Sequence, residues 1–166
     1  MINWGLTDLQ YFSIGKSDAA YFEKDSLWGD DVKTLMPSAL YDVSEAGSCY
    51  ALARYTATVF HAMRALEFGI EKMGGDLGIS LSAGTWGQKL GDIETAINSL
   101  PNGAPGSSAK QKKVFYSEYA RNFRYVKDAL RDRVMHTERQ YTETEAHTIL
   151  NHTGELLCHL AKGYSP

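Results

Sequence analysis

The chain has 166 residues, 43% of them hydrophobic and 22% charged, with a net charge of −3. That length suits one domain around one core, and the composition is that of an ordinary globular protein. The mild acidity excludes indiscriminate coating of nucleic acid, and no apolar run reaches the ~18–20 residues of a membrane span.

The longest apolar stretch, 51–70, is interrupted by Arg54, His61, Arg64 and Glu67. Met1-Ile2-Asn3-Trp4 is no basic region leading into an apolar core, so no secretory leader is expected. Cys49 and Cys158 are far apart and outside any CxxC. They read as thiols in a reducing cytoplasm rather than as a disulfide. The charge is unevenly spread. Residues 110–139 carry nine Lys/Arg against four acids, and the remainder has 8 basic against 16 acidic residues. One element therefore either faces an anion or presents a solvated basic face.

Taken in chain order, residues 1–37 are irregular and rich in aromatics, with short helices expected near 17–24 and 30–36. This section reads as an N-terminal extension packed on the core, which spans 38–166. Pro37 and Ser38 read as a helix start, with Asp42 and Glu45 in the early turns. From 38 to about 73 the pattern is helical: Ala46, Cys49, Tyr50, Ala53, Ala57, Phe60, Met63, Leu66 and Ile70 recur at three- and four-residue steps. Small residues are dense over 46–62 and permit close approach of a neighbouring helix. The length suggests a break near 44–48, and Gly74-Gly75 reads as the end.

A glycine-rich loop covers 74–84. Thr85-Trp86-Gly87-Gln88 reads as a capping box for a helix to about Leu100. The run 101–108 is a loop without a Walker pattern. Ser108 reads as the cap of a long helix to about Val134, with Phe115, Tyr119, Phe123, Val126, Leu130 and Val134 as its apolar stripe. After a connector over 137–141, Thr142-Glu143-Thr144-Glu145 reads as a second capping box. The final helix carries Ala146, Ile149, Leu150, Thr153, Leu156, Leu157 and Leu160 inward until Gly163. Four to five helices without a strand make an all-α bundle.

Chemistry concentrates where the long basic helix runs out. Arg131, Asp132 and His136 fall together there. A guanidinium can grip phosphate oxygens and an imidazole can move protons near neutrality. On one straight helix Arg131 and His136 would lie ~140° apart, so the helix must end or bend between them to build a common site. The plainer reading is an Arg and a His neutralising the helix dipole. His61, Arg64 and Glu67 lie at three-residue steps. They read either as accessory groups near the motif (Glu67 or His61) or as an Arg64–Glu67 ion pair beside a core-edge histidine. His147, His152 and His159 have no metal-ligand spacing, so neither a metal nor a cofactor is expected.

A long helix, an arginine followed by a polar residue, a histidine after four intervening residues, and then a capped final helix resemble the HEPN superfamily of small α-helical nucleases and nucleotide-binding proteins. Arg131, Asp132 and His136 carry the motif, and 45–67 is similar to the first core helix of such proteins. The resemblance covers about 38–162. It implies a HEPN-like bundle that forms a homodimer with its motifs facing across a two-fold, and metal-independent RNA cleavage in active members. His136 and Arg131 would be catalytic, with Asp132 orienting them, while Arg124, Lys127 and Arg133 would bind RNA phosphate. It also implies a cytoplasmic toxin or defence effector, held by an antitoxin or regulatory protein. Other members only bind a nucleotide, RNA or a partner. Where regulated members carry a tyrosine two residues past the histidine, this chain has Glu138.

Overall fold

The helices form where apolar residues recur at helical spacing, and they are joined by turns that local chemistry explains. The computed structural model describes residues 13–131 and 140–163, except the side chains of 130 and 131. Among these residues there are six α-helices and no strand: α1 (Asp30–Leu35), α2 (Leu40–Ala51), α3 (Tyr55–Asp76), α4 (Trp86–Ser99), α5 (Ser108–Val126) and α6 (Glu143–Gly163). The all-α expectation holds, and among the described residues no helix is long and apolar enough to cross a membrane.

A short 3-10 turn at Asp18–Ala20 occupies the first region expected to be helical. α1 starts with Asp30 and Asp31, whose charges suit a helix N-terminus. It ends at Met36 because the residue before a proline is pushed out of the helical region; Met36 has φ −132° and ψ 58°. Pro37 then opens a 3-10 turn that feeds α2.

The 13–37 section is seated on α2 and α6. A Cβ on Gly47 would run into the Tyr21 carbonyl, and the Glu23 amide donates to Ser48 Oγ at 3.0 Å. Trp28 is buried on Gly154, where a Cβ would overlap its indole, and the Cys158 thiol donates to the Trp28 carbonyl. Most of the small residues over 46–62 are consumed within the subunit, since Ala46, Gly47, Ser48, Ala51 and Ala62 are all buried.

The break in the early helical region falls at 52–54, not at 44–48. Ala53 adopts φ 56°, and its amide donates to the Tyr50 carbonyl while the Arg54 amide donates to the Cys49 carbonyl at 2.8 Å. This is a Schellman ending built on alanine rather than glycine, so it left no glycine in the sequence to read. The turn restarts the helical phase. α3 buries Val59, Ala62, Met63, Leu66, Ile70 and Met73, while Phe60, expected inside, is 38% exposed. α3 also runs through Gly74-Gly75 to Asp76. Its Schellman ending uses Gly78 at φ 70°, with Ile79 and Gly78 amides donating to the Gly74 and Gly75 carbonyls.

Gly69 marks the crossing of three helices. A Cβ there would lie 2.9 Å from both Leu157 of α6 and Phe123 of α5. The Thr85–Gln88 capping box forms as expected, and α4 buries Trp86, Leu90, Ile93 and Ile97. The cap of α5 is Ser107 rather than Ser108; its Oγ accepts from the Lys110 amide at 3.3 Å. α5 buries Tyr116, Ala120 and Phe123, with Phe115 and Tyr119 only partly covered. It does not continue as α-helix to Val134. A π-helical turn takes over at Lys127–Arg131. Thr142 and Glu145 cap α6 reciprocally, and its buried stripe is the one expected, apart from half-buried Leu156 and the addition of Gly154 and Ala161.

Candidate functional site

The motif sits at the joint between α5 and α6. Arg131 is the last residue of the π turn. Such turns place an extra residue in the helix and are frequent at functional sites. Asp132, Arg133 and His136 lie outside the described residues, as does the side chain of Arg131.

Two of the expected phosphate-binding cations are described, and both have carboxylate neighbours. Arg124 Nε donates to Glu94 Oε1 of α4 at 2.7 Å, a bond that holds the guanidinium even further into its charged form. Lys127 Nζ is 2.9 Å from Asp128 Oδ1. Lys113 donates to the Leu100 carbonyl at 3.0 Å and to Asn102 Oδ1 at 2.9 Å, bracing the loop between α4 and α5. Arg121 is exposed, and it borders a cleft of about 470 Å³ between α4 and α5 with Lys113, Glu94 and Ser117.

The early-helix candidates part company. The expected Arg64–Glu67 pair does not form, because each side chain finds a partner on another element. Glu67 Oε1 accepts from Lys89 of α4 at 2.7 Å, and Glu71 shares that ammonium at 3.1 Å. Burial pulls the Lys89 pKa down, but the two carboxylates outweigh it and leave it raised. His61 and Arg64 instead meet Asp42 of α2. Asp42 is 1% exposed, with Oδ1 2.7 Å from His61 Nδ1 and 3.1 Å from Arg64 Nε. Arg64 also lies over the Phe60 ring at 5.9 Å.

Among the described residues His61 therefore pairs with α2 and Glu67 with α4, and the motif that either was expected to approach lies outside them. Beside His61 stand Glu45 and Cys49, with a ligand-type atom from each of the three residues within 4.8 Å of the others. Burial, and then the Glu45 carboxylate, push the Cys49 thiol up; the Arg54 charge works against them. This cluster was legible only in part. Asp42, Glu45 and Cys49 share one face of α2 at three- and four-residue steps, but the turn that brings His61 over them carries no sequence mark.

The chain is thus an all-α bundle with a basic helix leading into an Arg/His joint and a polar cluster between its first two long helices. No protein family, curated protein or solved structure matches it.

Proposed function

We propose that the protein is a metal-independent endoribonuclease of HEPN type. It acts as a homodimer whose two motifs form one composite site, in the service of a toxin or defence system. The observation that carries this reading is the constellation Arg131-Asp132…His136 at the joint between two long helices, α5 and α6. The departure from α-helix at Lys127–Arg131 supports it, because π turns recur at functional sites.

The chemistry is set by the residue types. A ribose 2′-OH attacks the adjacent phosphorus, the new O–P bond forms as the bond to the 5′ oxygen breaks, and a 2′,3′-cyclic phosphate and a 5′-hydroxyl result. His136 takes the 2′-OH proton or delivers one to the leaving oxygen. Arg131 neutralises charge growing on the phosphoryl oxygens, and Asp132 orients one or both.

His136→Ala is expected to lower the cleavage rate by roughly 10²–10⁴ with the fold intact. Arg131→Ala does similar damage, and Arg131→Lys rescues poorly because lysine lacks the planar fork. Cleavage persists in EDTA wherever the protein stays folded. Activity that survives loss of both side chains would sink the assignment.

A second reading has one observation in its favour. Arg124 and Lys127 already pair with Glu94 and Asp128, which weakens their claim on RNA phosphate. A folded wild-type protein that binds RNA or a nucleotide and cleaves nothing would establish this non-catalytic binding module instead.

A further inference from the structure

We propose that Glu45, Cys49 and His61 form a site for one zinc-class divalent ion, held between α2 and α3 and positioned by Asp42. Three different donor types converge there. A carboxylate, a thiol and an imidazole offer atoms within 4.8 Å of one another. Bonds of about 2.0–2.3 Å to a single tetrahedral zinc require the donors roughly 3.3–3.6 Å apart. The remaining closure, at most about 1.5 Å, falls to small torsional adjustments of the three donor side chains.

The second observation is the thiol. Cys49 is only 9% exposed and makes no side-chain hydrogen bond among the described residues, yet it faces a carboxylate and an imidazole. A structural cysteine in a core ordinarily packs against apolar groups.

The third is the support behind the histidine. Buried Asp42 holds His61 Nδ1 at 2.7 Å, and Arg64 balances its charge. A carboxylate on one ring nitrogen fixes the tautomer and leaves the lone pair on the other for a metal. Asp42 is therefore a positioning residue, and the metal contacts come from the other three.

The donor set selects the ion. Thiolate with imidazole suits zinc and its neighbours Co²⁺ and Ni²⁺, whereas magnesium and calcium call for oxygen donors. Binding replaces the S–H bond of Cys49 with an S–metal bond and releases the proton to solvent. Three protein ligands leave a fourth position for water. The ion would clamp α2 to α3 across the turn at Ala53 and has no part in the proposed cleavage step, and so is compatible with cleavage in EDTA.

The test is titration of metal-free full-length protein with Co²⁺, followed by displacement with Zn²⁺ in competition with a chromophoric chelator. One equivalent per chain is expected, with a thiolate-to-cobalt charge-transfer band that Zn²⁺ abolishes. Cys49→Ser and His61→Ala should remove the band. Asp42→Asn should keep it while weakening affinity roughly 10–100-fold. Cys158→Ser and His136→Ala should leave band and affinity unchanged. Folded wild-type protein that gives no band, or a band that survives Cys49→Ser, would overturn the proposal. If the Cys49 or His61 variants fail to fold, alkylation of wild-type protein decides the matter. Zn²⁺ must then slow modification of Cys49 and not of Cys158, and equal rates with and without zinc would overturn it.

Discussion

Asp42 shows how one residue gathers what the linear pattern scatters. It sits in the first turn of α2, where an acid is ordinarily explained by the helix dipole. Instead it is 1% exposed and receives His61 and Arg64 on one oxygen. A buried carboxylate is tolerated only when paired in this way, and removing it strands both partners. Asp42→Ala is expected to cost about 2–4 kcal/mol of stability, read from denaturant midpoints. A loss under about half a kcal/mol would mean that solvent already screens the cluster. Arg64 and Glu67 were legible as charged residues, but not their partners. At three residues apart they suit each other on an isolated helix, yet Arg64 takes Asp42 and Glu67 takes Lys89 from neighbouring elements.

Among the elements, the turn between α2 and α3 is one that the chain carries at a cost. Ala53 at φ 56° occupies the left-handed region, which an L-residue enters at roughly 1–2 kcal/mol. Ala53→Gly should therefore raise stability by about 1 kcal/mol, less the extra freedom glycine gains when unfolded. An unchanged or lower melting temperature would show that the turn is not strained as described. α6 is the opposite case. Its cap, Thr142 with Glu145, and nearly all of its apolar stripe were readable because both depend on residues within a few positions. α5 was readable in its start but not in its end or its rotation. Phe115, Tyr116, Tyr119 and Phe123 offer two adjacent stripes of similar hydrophobicity, and contacts at Gly69 and Gly163 decide between them. Phe123 comes against Gly69, and the Phe115 ring lies under the end of α6.

For the whole molecule, assembly and electrostatics are the quantities to measure. The small residues of α2 are spent inside the subunit, so a two-fold interface would have to use other surfaces, such as exposed Tyr41 and Phe60 beside His61. Light scattering at micromolar concentration should give the mass of a dimer, and a monomer would count heavily against a composite site. RNA binding should weaken as salt rises, because phosphate contacts release counterions. Since Arg124 and Lys127 already have acidic neighbours, the slope should be shallower than a count of the nine basic residues in 110–139 suggests.

Sequence alone determined the all-α class, the approximate extents of α1, α4 and α6, both capping boxes and the inward stripe of α6. Each depends on the chemistry of residues only a few positions apart. Tertiary packing decided the break at Ala53, the rotation of α5 and the partners of Arg64 and Glu67. It also decided the meeting of Asp42, Glu45, Cys49 and His61. Those outcomes hinge on which neighbouring helix supplies the nearest charge or the tightest fit, and no spacing along one helix encodes its neighbour.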